Sequence, residues 1–174
     1  MQKDTIAIHA GYDKKNGNGE MAIPISQTTA YAFRDAEHAA NLFALKELGP
    51  IYTRLNNPTN DILEQRYAQL ENGAAALATS SGASAVFYSI ANIAEAGDNI
   101  LISDKLYGGS VTLFHFTLKR FGISVKTFKS DDASDLESLV DDKTKGIFFE
   151  SLSNPQIAIP AIEKIVEVAK KYGI

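Results

Sequence analysis

Ile100-Leu101-Ile102-Ser103-Asp104-Lys105-Leu106-Tyr107-Gly108-Gly109-Ser110, followed by a helical stretch over 111–120, Gly122 and Ser124-Val125-Lys126-Thr127-Phe128, decides the fold. Ile100-Leu101-Ile102 is a short apolar run, the length of a strand rather than a helix. Tyr107-Gly108-Gly109 reads as a loop. Positions 111–120 read as a helix stopped by Gly122, and 124–128 as a second strand. Strand, helix, strand in about 30 residues is the βαβ unit of a parallel sheet.

The alternation continues on both sides. Upstream, Ala74 to Thr79 is a short apolar run, Ser80-Ser81-Gly82 a turn, and 82–94 a helix stopped at Gly97. The Ala-rich run is a weak strand former and could equally extend a helix. Downstream, Ser134-Asp135-Leu136-Glu137 is a capping box opening a short helix. Positions 146–149 read as a strand, 151–160 as a loop, and 161–172 as a helix stopped by Gly173. The pattern then calls for another strand with Ile174 as its first residue. A parallel sheet is covered on both faces, so the chain reads as the first part of a longer α/β domain.

The region ahead of this sheet differs. Residues 1–30 read as an extended arm, with turn chemistry at Asn16-Gly17-Asn18-Gly19 and Pro24 opposing a helix. A helix is expected over 35–48, where Ala36, Ala39, Ala40, Phe43 and Ala44 fall at helical spacing before Gly49-Pro50. Ile51 to Asn57 is a polar-aromatic loop. Asn57-Pro58 is an N-cap with proline at the first helical position, and Gly73 ends that helix. Residues 1–60 are therefore assigned to an arm with helices, and 61–174 to the α/β domain.

Composition narrows the function. The 174 residues carry a net charge of −4, with 45% hydrophobic residues and no cysteine. Disulfides, thiolate nucleophiles and cysteine metal sites are thereby excluded. Scattered Lys and Arg give no patch for nucleic acid or an acidic membrane surface. No run approaches the roughly 18 apolar residues of a membrane span. The first residues lack the apolar core of a secretory signal, so a cytoplasmic protein is expected.

In open parallel sheets ligands bind beyond the carboxyl ends of the strands. That rule selects three loops: Ser80-Ser81-Gly82, Asp104 to Ser110, and Glu150 to Pro155. Ser80-Ser81-Gly82 leads into a helix whose free N–H groups and partial positive charge suit a phosphate; equally, serine caps the helix and glycine eases the turn. Tyr107, before Gly108-Gly109, can lay its ring on a planar ligand or pack on the turn. Asn154 in Ser153-Asn154-Pro155 offers an amide to the cleft or belongs to an Asn-Pro turn. Outside the sheet, Tyr52-Thr53-Arg54 holds an arginine suited to phosphate, or simply a surface loop. Gly17-Asn18-Gly19-Glu20-Met21-Ala22 spells a dinucleotide string but follows no strand and runs into Pro24. His9, His38 and His115 have no metal-ligand spacing, so no metal is expected. His115, among Leu113, Phe114 and Phe116, reads as a packing residue. Asp131-Asp132 and Asp141-Asp142 read as solvated ends.

Taken together, these pieces resemble the Cys/Met-metabolism enzymes dependent on pyridoxal phosphate, the family of cystathionine gamma-synthase. The matching text is His9-Ala10-Gly11, Pro24-Ile25-Ser26-Gln27-Thr28-Thr29, Tyr52-Thr53-Arg54 with Asn57-Pro58-Thr59, Ser80-Ser81-Gly82, Leu106-Tyr107-Gly108-Gly109 and Ser153-Asn154-Pro155. It runs the length of the chain in the family's order. Asn41-Leu42-Phe43-Ala44-Leu45-Lys46-Glu47, leading into Ile51-Tyr52-Thr53-Arg54, is most similar to the O-acetylhomoserine sulfhydrylase branch.

The resemblance implies a fold type I pyridoxal-phosphate transferase, with this chain forming the inter-subunit segment and part of the cofactor-binding large domain. It implies Ser81, Gly82 and Ala83 at the cofactor phosphate, with backbone N–H groups of the last two as donors. Relatives often carry a longer side chain at the position of Ala83. It implies Tyr107 stacked on the pyridine ring and Asn154 near the ring oxygen. Tyr52 and Arg54 are implied to reach the phosphate of a neighbouring subunit's cofactor in a homo-oligomer, a dimer of dimers. Tyr107 and Tyr52 are the implied catalytic residues. The implied reaction joins O-acetylhomoserine and sulfide into homocysteine, a step of methionine biosynthesis. Cystathionine synthesis or gamma-elimination on the same scaffold, and a binding module without chemistry, are the alternatives. The Schiff-base lysine and the aspartate on the pyridine nitrogen are expected beyond Ile174. Lys105 lacks the family's surrounding residues, and Thr144-Lys145 is expected to precede its strand, at the wrong end of the sheet.

Overall fold

Parallel pairing of three short strands organises the carboxyl-terminal half. The structure, a computed structural model, describes residues 2–13, 15 and 19–174. It divides into two compact units, Met1–Ala78 and Thr79–Ile174. The turn expected at Asn16-Gly17-Asn18-Gly19 and the rejected dinucleotide string lie partly outside the described residues.

In the second unit, strands β1 (Asn99–Ser103), β2 (Ser124–Phe128) and β3 (Thr144–Phe148) form one parallel sheet in the order β2-β1-β3. β1 is the central strand and all five of its residues are buried. Its side chains alternate between two cores, as a pleated strand requires. Ile100 and Ile102 join Ile90, Leu106, Phe114, Leu118 and Ile123 on one face. Leu101 joins Phe128, Leu136 and Ile165 on the other. Helix α4 (Gly82–Ala91) and the turns that continue α5 (Gly108–Thr112) through Phe114 and Leu118 supply the first face, α6 (Leu136–Leu139) and α7 (Ile162–Tyr172) the second. Helices thus cover both sides of a parallel sheet, as the sequence pattern requires.

Several local expectations are corrected. Residues 75–79 are not a strand: alanine favours pleated pairing weakly, and Glu64 Oε1 takes the Ala78 N–H at 2.8 Å. Helix α4 is shorter than the 82–94 expected. Gly108 and Gly109 open a helix rather than a loop, because Val111 N–H donates to Tyr107 O at 3.0 Å. The helix expected over 111–120 is α5 continued as a π turn (Leu113–Thr117) and a 3₁₀ turn (Leu118–Phe121). This winding buries Phe114 and Leu118 completely, while His115, expected to pack, is exposed. The capping box does not close: Glu137 instead accepts from Lys171 Nζ and Tyr172 Oη, so α6 has no side-chain cap. Thr144-Lys145 lies inside β3 rather than before it.

Asp141 is no solvated end. Its Oδ1 accepts from Asn99 Nδ2 at 2.8 Å and from Lys143 N–H at 2.9 Å, and Lys126 Nζ bonds its other oxygen. This network ties the amino ends of β1 and β3. The Lys126 bond foremost, then that of Asn99, outweigh desolvation and hold the Asp141 carboxyl well below the usual range. A carboxyl depressed by folding contributes stability above its unfolded value, about 4, and that contribution is lost as pH falls. Asp141→Asn is therefore expected to lower the urea midpoint at neutral pH and to flatten its decline below about pH 4. An equally steep acid decline in the variant would contradict the assignment.

In the first unit, helix α1 (Lys3–His9) replaces part of the expected extended arm and packs on α3 (Pro58–Leu70). Helices are short here because tertiary contacts hold them: Arg66 Nε donates to Ala10 O at 2.9 Å, and isolated helices of this length are marginal. Gly11 sits against α3 with φ +79°, and a Cβ there would stand 2.5 Å from Ile62 O. Helix α2 (Ala36–Phe43) is capped by Asp35 but stops well short of residue 48. Leu45 takes φ 53°, and Lys46 and Glu47 N–H groups both turn back to Asn41 O. Leu45 and Leu48 are 79% and 89% exposed, so no packing sustains another turn. Among the described residues no helix is long and apolar enough to cross a membrane.

Candidate functional site

The candidate residues fall into two sets, one in each unit. In the second unit they stand beyond the carboxyl ends of the strands. The chain runs from β1 to β2 on one side and then crosses to β3 on the other. The crevice between β1 and β3 is therefore the topological switch point, where open α/β sheets take ligands.

Helix α4 leads into β1 and opens on a cluster of serines. Ser81 is the N-cap, and Ser84 N–H donates to its Oγ at 3.1 Å. Ser84 Oγ lies 2.9 Å from Ser81 Oγ and 3.4 Å from Ser80 Oγ. The N–H groups of Gly82 and Ala83 have no acceptor among the described residues, and a Cβ built on Gly82 would meet nothing within 4 Å. Two free donors facing open space at a ten-residue helix N-terminus suit a phosphate. Serine capping and phosphate binding are thus compatible: the cap uses a later N–H and leaves the first two open.

Tyr107 is the N-cap residue of α5, and the residue is 55% exposed. The ring lies over Gly109, where a Cβ would come within 2.5 Å of Tyr107 Cε1. Only glycine leaves room for that ring orientation. Tyr107 N–H donates to Glu150 Oε1 at 2.9 Å, and Asn154 N–H donates to Glu150 Oε2 at 3.3 Å. Glu150 follows β3 by two residues, so one carboxylate joins the loops of two strands. Beside them, Asp104 Oδ1 accepts from Ser130 N–H at 3.0 Å and from its Oγ at 2.7 Å, linking the ends of β1 and β2. Burial pushes the Asp104 carboxyl up, but the Ser130 bonds and the nearby Lys105 charge outweigh it and leave it below its ordinary value. Lys105 is paired with Asp131. Lys145, at the amino end of the sheet, lies 3.7 Å from Asp98.

In the first unit, Tyr52 pairs with Ala30 in an antiparallel bridge, flanked by Thr53 N–H donating to Thr29 O at 2.8 Å. Asn57 Nδ2 donates to Ser26 O at 2.9 Å and to Thr53 Oγ1 at 3.1 Å, while Asn57 Oδ1 caps α3 through Thr59 N–H. The segments 24–29, 52–54 and 57–59 are therefore one hydrogen-bonded cluster. It leaves Arg54 exposed, its guanidinium carbon 5.4 Å from the Tyr52 ring centroid and Nη2 3.4 Å from Tyr52 Oη. Among the described residues no acidic partner holds Arg54. An arginine without a carboxylate, braced by an aromatic ring, is available to an anion. Among the described residues no group of three acidic or histidine side chains could hold a metal.

The sequence named Ser81, Gly82, Ala83, Tyr107, Asn154, Tyr52 and Arg54; it gave Asp104 and Glu150 only as the first residues of selected loops, with no role, and missed Ser84. Glu150 had a legible signal, a carboxylate at the carboxyl end of a strand beside Ser153-Asn154-Pro155. Its partners, backbone N–H groups 43 and 4 residues away, leave no mark in a sequence.

The Cys/Met metabolism PLP-dependent enzyme family matches residues 4–174. The chain belongs to that family. Within it, the chain is 46% identical over 98% of its length to a homocysteine synthase of Schizosaccharomyces pombe, covering 40% of that protein. It is 45% identical over its whole length to O-acetyl-L-homoserine sulfhydrylase 1 of Thermus thermophilus, covering 42% of it. A solved structure from Campylobacter jejuni, assigned as an O-acetylhomoserine (thiol)-lyase, superposes with a TM-score of 0.95 at 49% identity. That match covers 100% of this chain and 43% of the Campylobacter chain, which carries N'-pyridoxyl-lysine-5'-monophosphate at its position 205. This member of the Cys/Met metabolism family therefore spans about two-fifths of the length of these relatives. Its sheet and flanking helices match part of the fold type I pyridoxal-phosphate enzyme structure.

Proposed function

We propose that the complete protein is an O-acetylhomoserine sulfhydrylase, joining O-acetylhomoserine and hydrogen sulfide to give homocysteine and acetic acid. The observation that carries this reading is 45% identity, along the entire chain, with an O-acetyl-L-homoserine sulfhydrylase. Bound pyridoxal phosphate supplies the electron sink that lets acetate leave from the gamma carbon and sulfur take its place. The residues present fit that group. In this reading the free N–H groups of Gly82 and Ala83, with Ser81, hold the phosphate. Tyr107 would stack on the ring and, with Tyr52, serve as a catalytic residue. Asn154 directs its amide to the ring oxygen. Tyr52 and Arg54 reach the phosphate bound by a neighbouring subunit, which makes the enzyme a homo-oligomer, a dimer of dimers. The lysine that binds the cofactor covalently and the aspartate for the pyridine nitrogen lie outside these 174 residues. The cytoplasm is the proposed compartment.

The test is a nucleophile competition with the full-length protein. O-acetylhomoserine with sulfide should release acetate and homocysteine. Cysteine in place of sulfide should react at least tenfold more slowly, a difference of about 1.4 kcal/mol in the barrier. Preference for cysteine would make the protein a cystathionine-forming enzyme instead.

A further inference from the structure

Glu150 is half-buried, yet it has no cationic partner among the described residues. Its two oxygens are spent on two backbone N–H groups, one each: Oε1 on Tyr107 at 2.9 Å and Oε2 on Asn154 at 3.3 Å. These are the two residues assigned to the ring of the cofactor. The side chains of the same residues remain unengaged: the Tyr107 phenol and the Asn154 carboxamide have no hydrogen-bond partner among the described residues. Backbone fixed and side chain free is the arrangement a preformed ligand site needs.

The two loops have no other described hydrogen bond to one another. The loop after β3 closes on itself: Ser153 N–H donates to Ala158 O at 3.0 Å, Ala158 N–H donates to Ser153 Oγ at 3.0 Å, and Ile157 N–H donates to Ser153 O at 2.9 Å. The loop after β1 runs directly into α5, whose first turn closes on Tyr107 O. Each loop is thus internally set, and the distance between them depends on the group that joins them.

We propose that Glu150 is a positioning residue: its carboxylate yokes the Tyr107 and Asn154 loops and fixes the gap between the stacking ring and the amide that grips the cofactor's edge. The proposal rests on the functional reading above. It requires two acceptor oxygens on one rigid plane, which a carboxylate has and a carboxamide lacks. In Glu150→Gln the shape is kept, but one N–H must face an NH2 group and loses its acceptor. Glu150→Asp keeps both acceptors and draws them back by one methylene.

The experiment uses the full-length protein in two arms. In cofactor-free protein, amide hydrogen exchange is followed in the segments holding Tyr107 and Asn154. Pyridoxal phosphate itself is then titrated, with the circular dichroism of the bound ring as the signal. Glu150→Gln should exchange faster in at least one of the two segments. It should raise the half-saturating cofactor concentration by roughly tenfold, the worth of one charge-assisted hydrogen bond. It should also weaken the ring's circular dichroism at saturation, because the ring is held less uniformly. Glu150→Asp should shift in the same direction by less. Unchanged exchange and binding in Glu150→Gln overturns the proposal. So does a fall in thermal stability with the dichroism of the saturated ring unaltered, which marks a purely structural residue. A wild-type protein that takes up no pyridoxal phosphate overturns the functional reading instead, and is seen before any variant is made.

Discussion

Arg54→Ala is expected to weaken retention of pyridoxal phosphate in the full-length protein by roughly tenfold to a hundredfold, with the fold intact. The arginine is exposed, has no acidic partner among the described residues, and in its own unit touches only the Tyr52 ring and hydroxyl. Its removal therefore costs chiefly the bond to the ligand, beside one exposed contact with Tyr52. A charge-assisted hydrogen bond to phosphate is worth about 1.5–3 kcal/mol, which sets the range. The contact proposed is to a neighbour's cofactor, and mixing makes that visible. Arg54→Ala subunits are combined with subunits whose cofactor-binding lysine is replaced. In a mixed dimer one site receives the intact Arg54 of one subunit and the intact lysine of the other. Activity should appear where neither parent has any. Mixed oligomers as inactive as their parents would place Arg54 in its own subunit's site or in none.

The largest loss of stability is expected at Phe114. It is 0% exposed and packs with Ile90, Ile100, Ile102, Leu106, Leu118 and Ile123. Its ring centre lies 4.8 Å from that of Phe148. Truncation leaves a cavity between the π turn and the sheet, so Phe114→Ala should cost about 3–5 kcal/mol. Folded domains hold only about 5–15 kcal/mol in all, so much of the variant should be recovered unfolded. Urea denaturation measures the loss, and a value below about 1 kcal/mol would remove Phe114 from the centre of that core. Phe114→Leu, which refills most of the volume, should cost less.

The sequence revealed the sheet because a parallel sheet is written locally: apolar triplets, stop glycines and helices at regular spacing. It also revealed the Asn57-Pro58 helix start, where cap and proline act within two residues. Expectations failed where a local signal met a distant competitor. Glu137 has the spacing of a capping box, yet Lys171 and Tyr172 reach it from 34 and 35 residues away. Asp141 looked like a helix end and proved to be a junction between strands. The π turn has no sequence signal of its own, since it only shifts the register of residues that are apolar in any case. The candidate site was legible as loops and as family text. What joins those loops is a carboxylate accepting backbone N–H groups, and any residue but proline can donate one.

The order of the sheet has a consequence during synthesis. β1 is made first and needs a neighbour on each side, yet the residue that bonds Asn99 on the β3 side, Thr144, comes 45 positions later. At about 5–20 residues per second on the ribosome, that edge waits roughly 2–9 s. During this time Ile100-Leu101-Ile102, a triplet of strong strand formers, stands with an unpaired ladder and nothing from α6 or α7 over Leu101. Such a segment invites pairing with another nascent chain. It is bracketed by Asp98 and Asn99 on one side and by Ser103, Asp104 and Lys105 on the other. Charges at those positions oppose intermolecular stacking. The carboxylates that later become fixtures of the sheet's two ends thus guard its middle before the sheet exists.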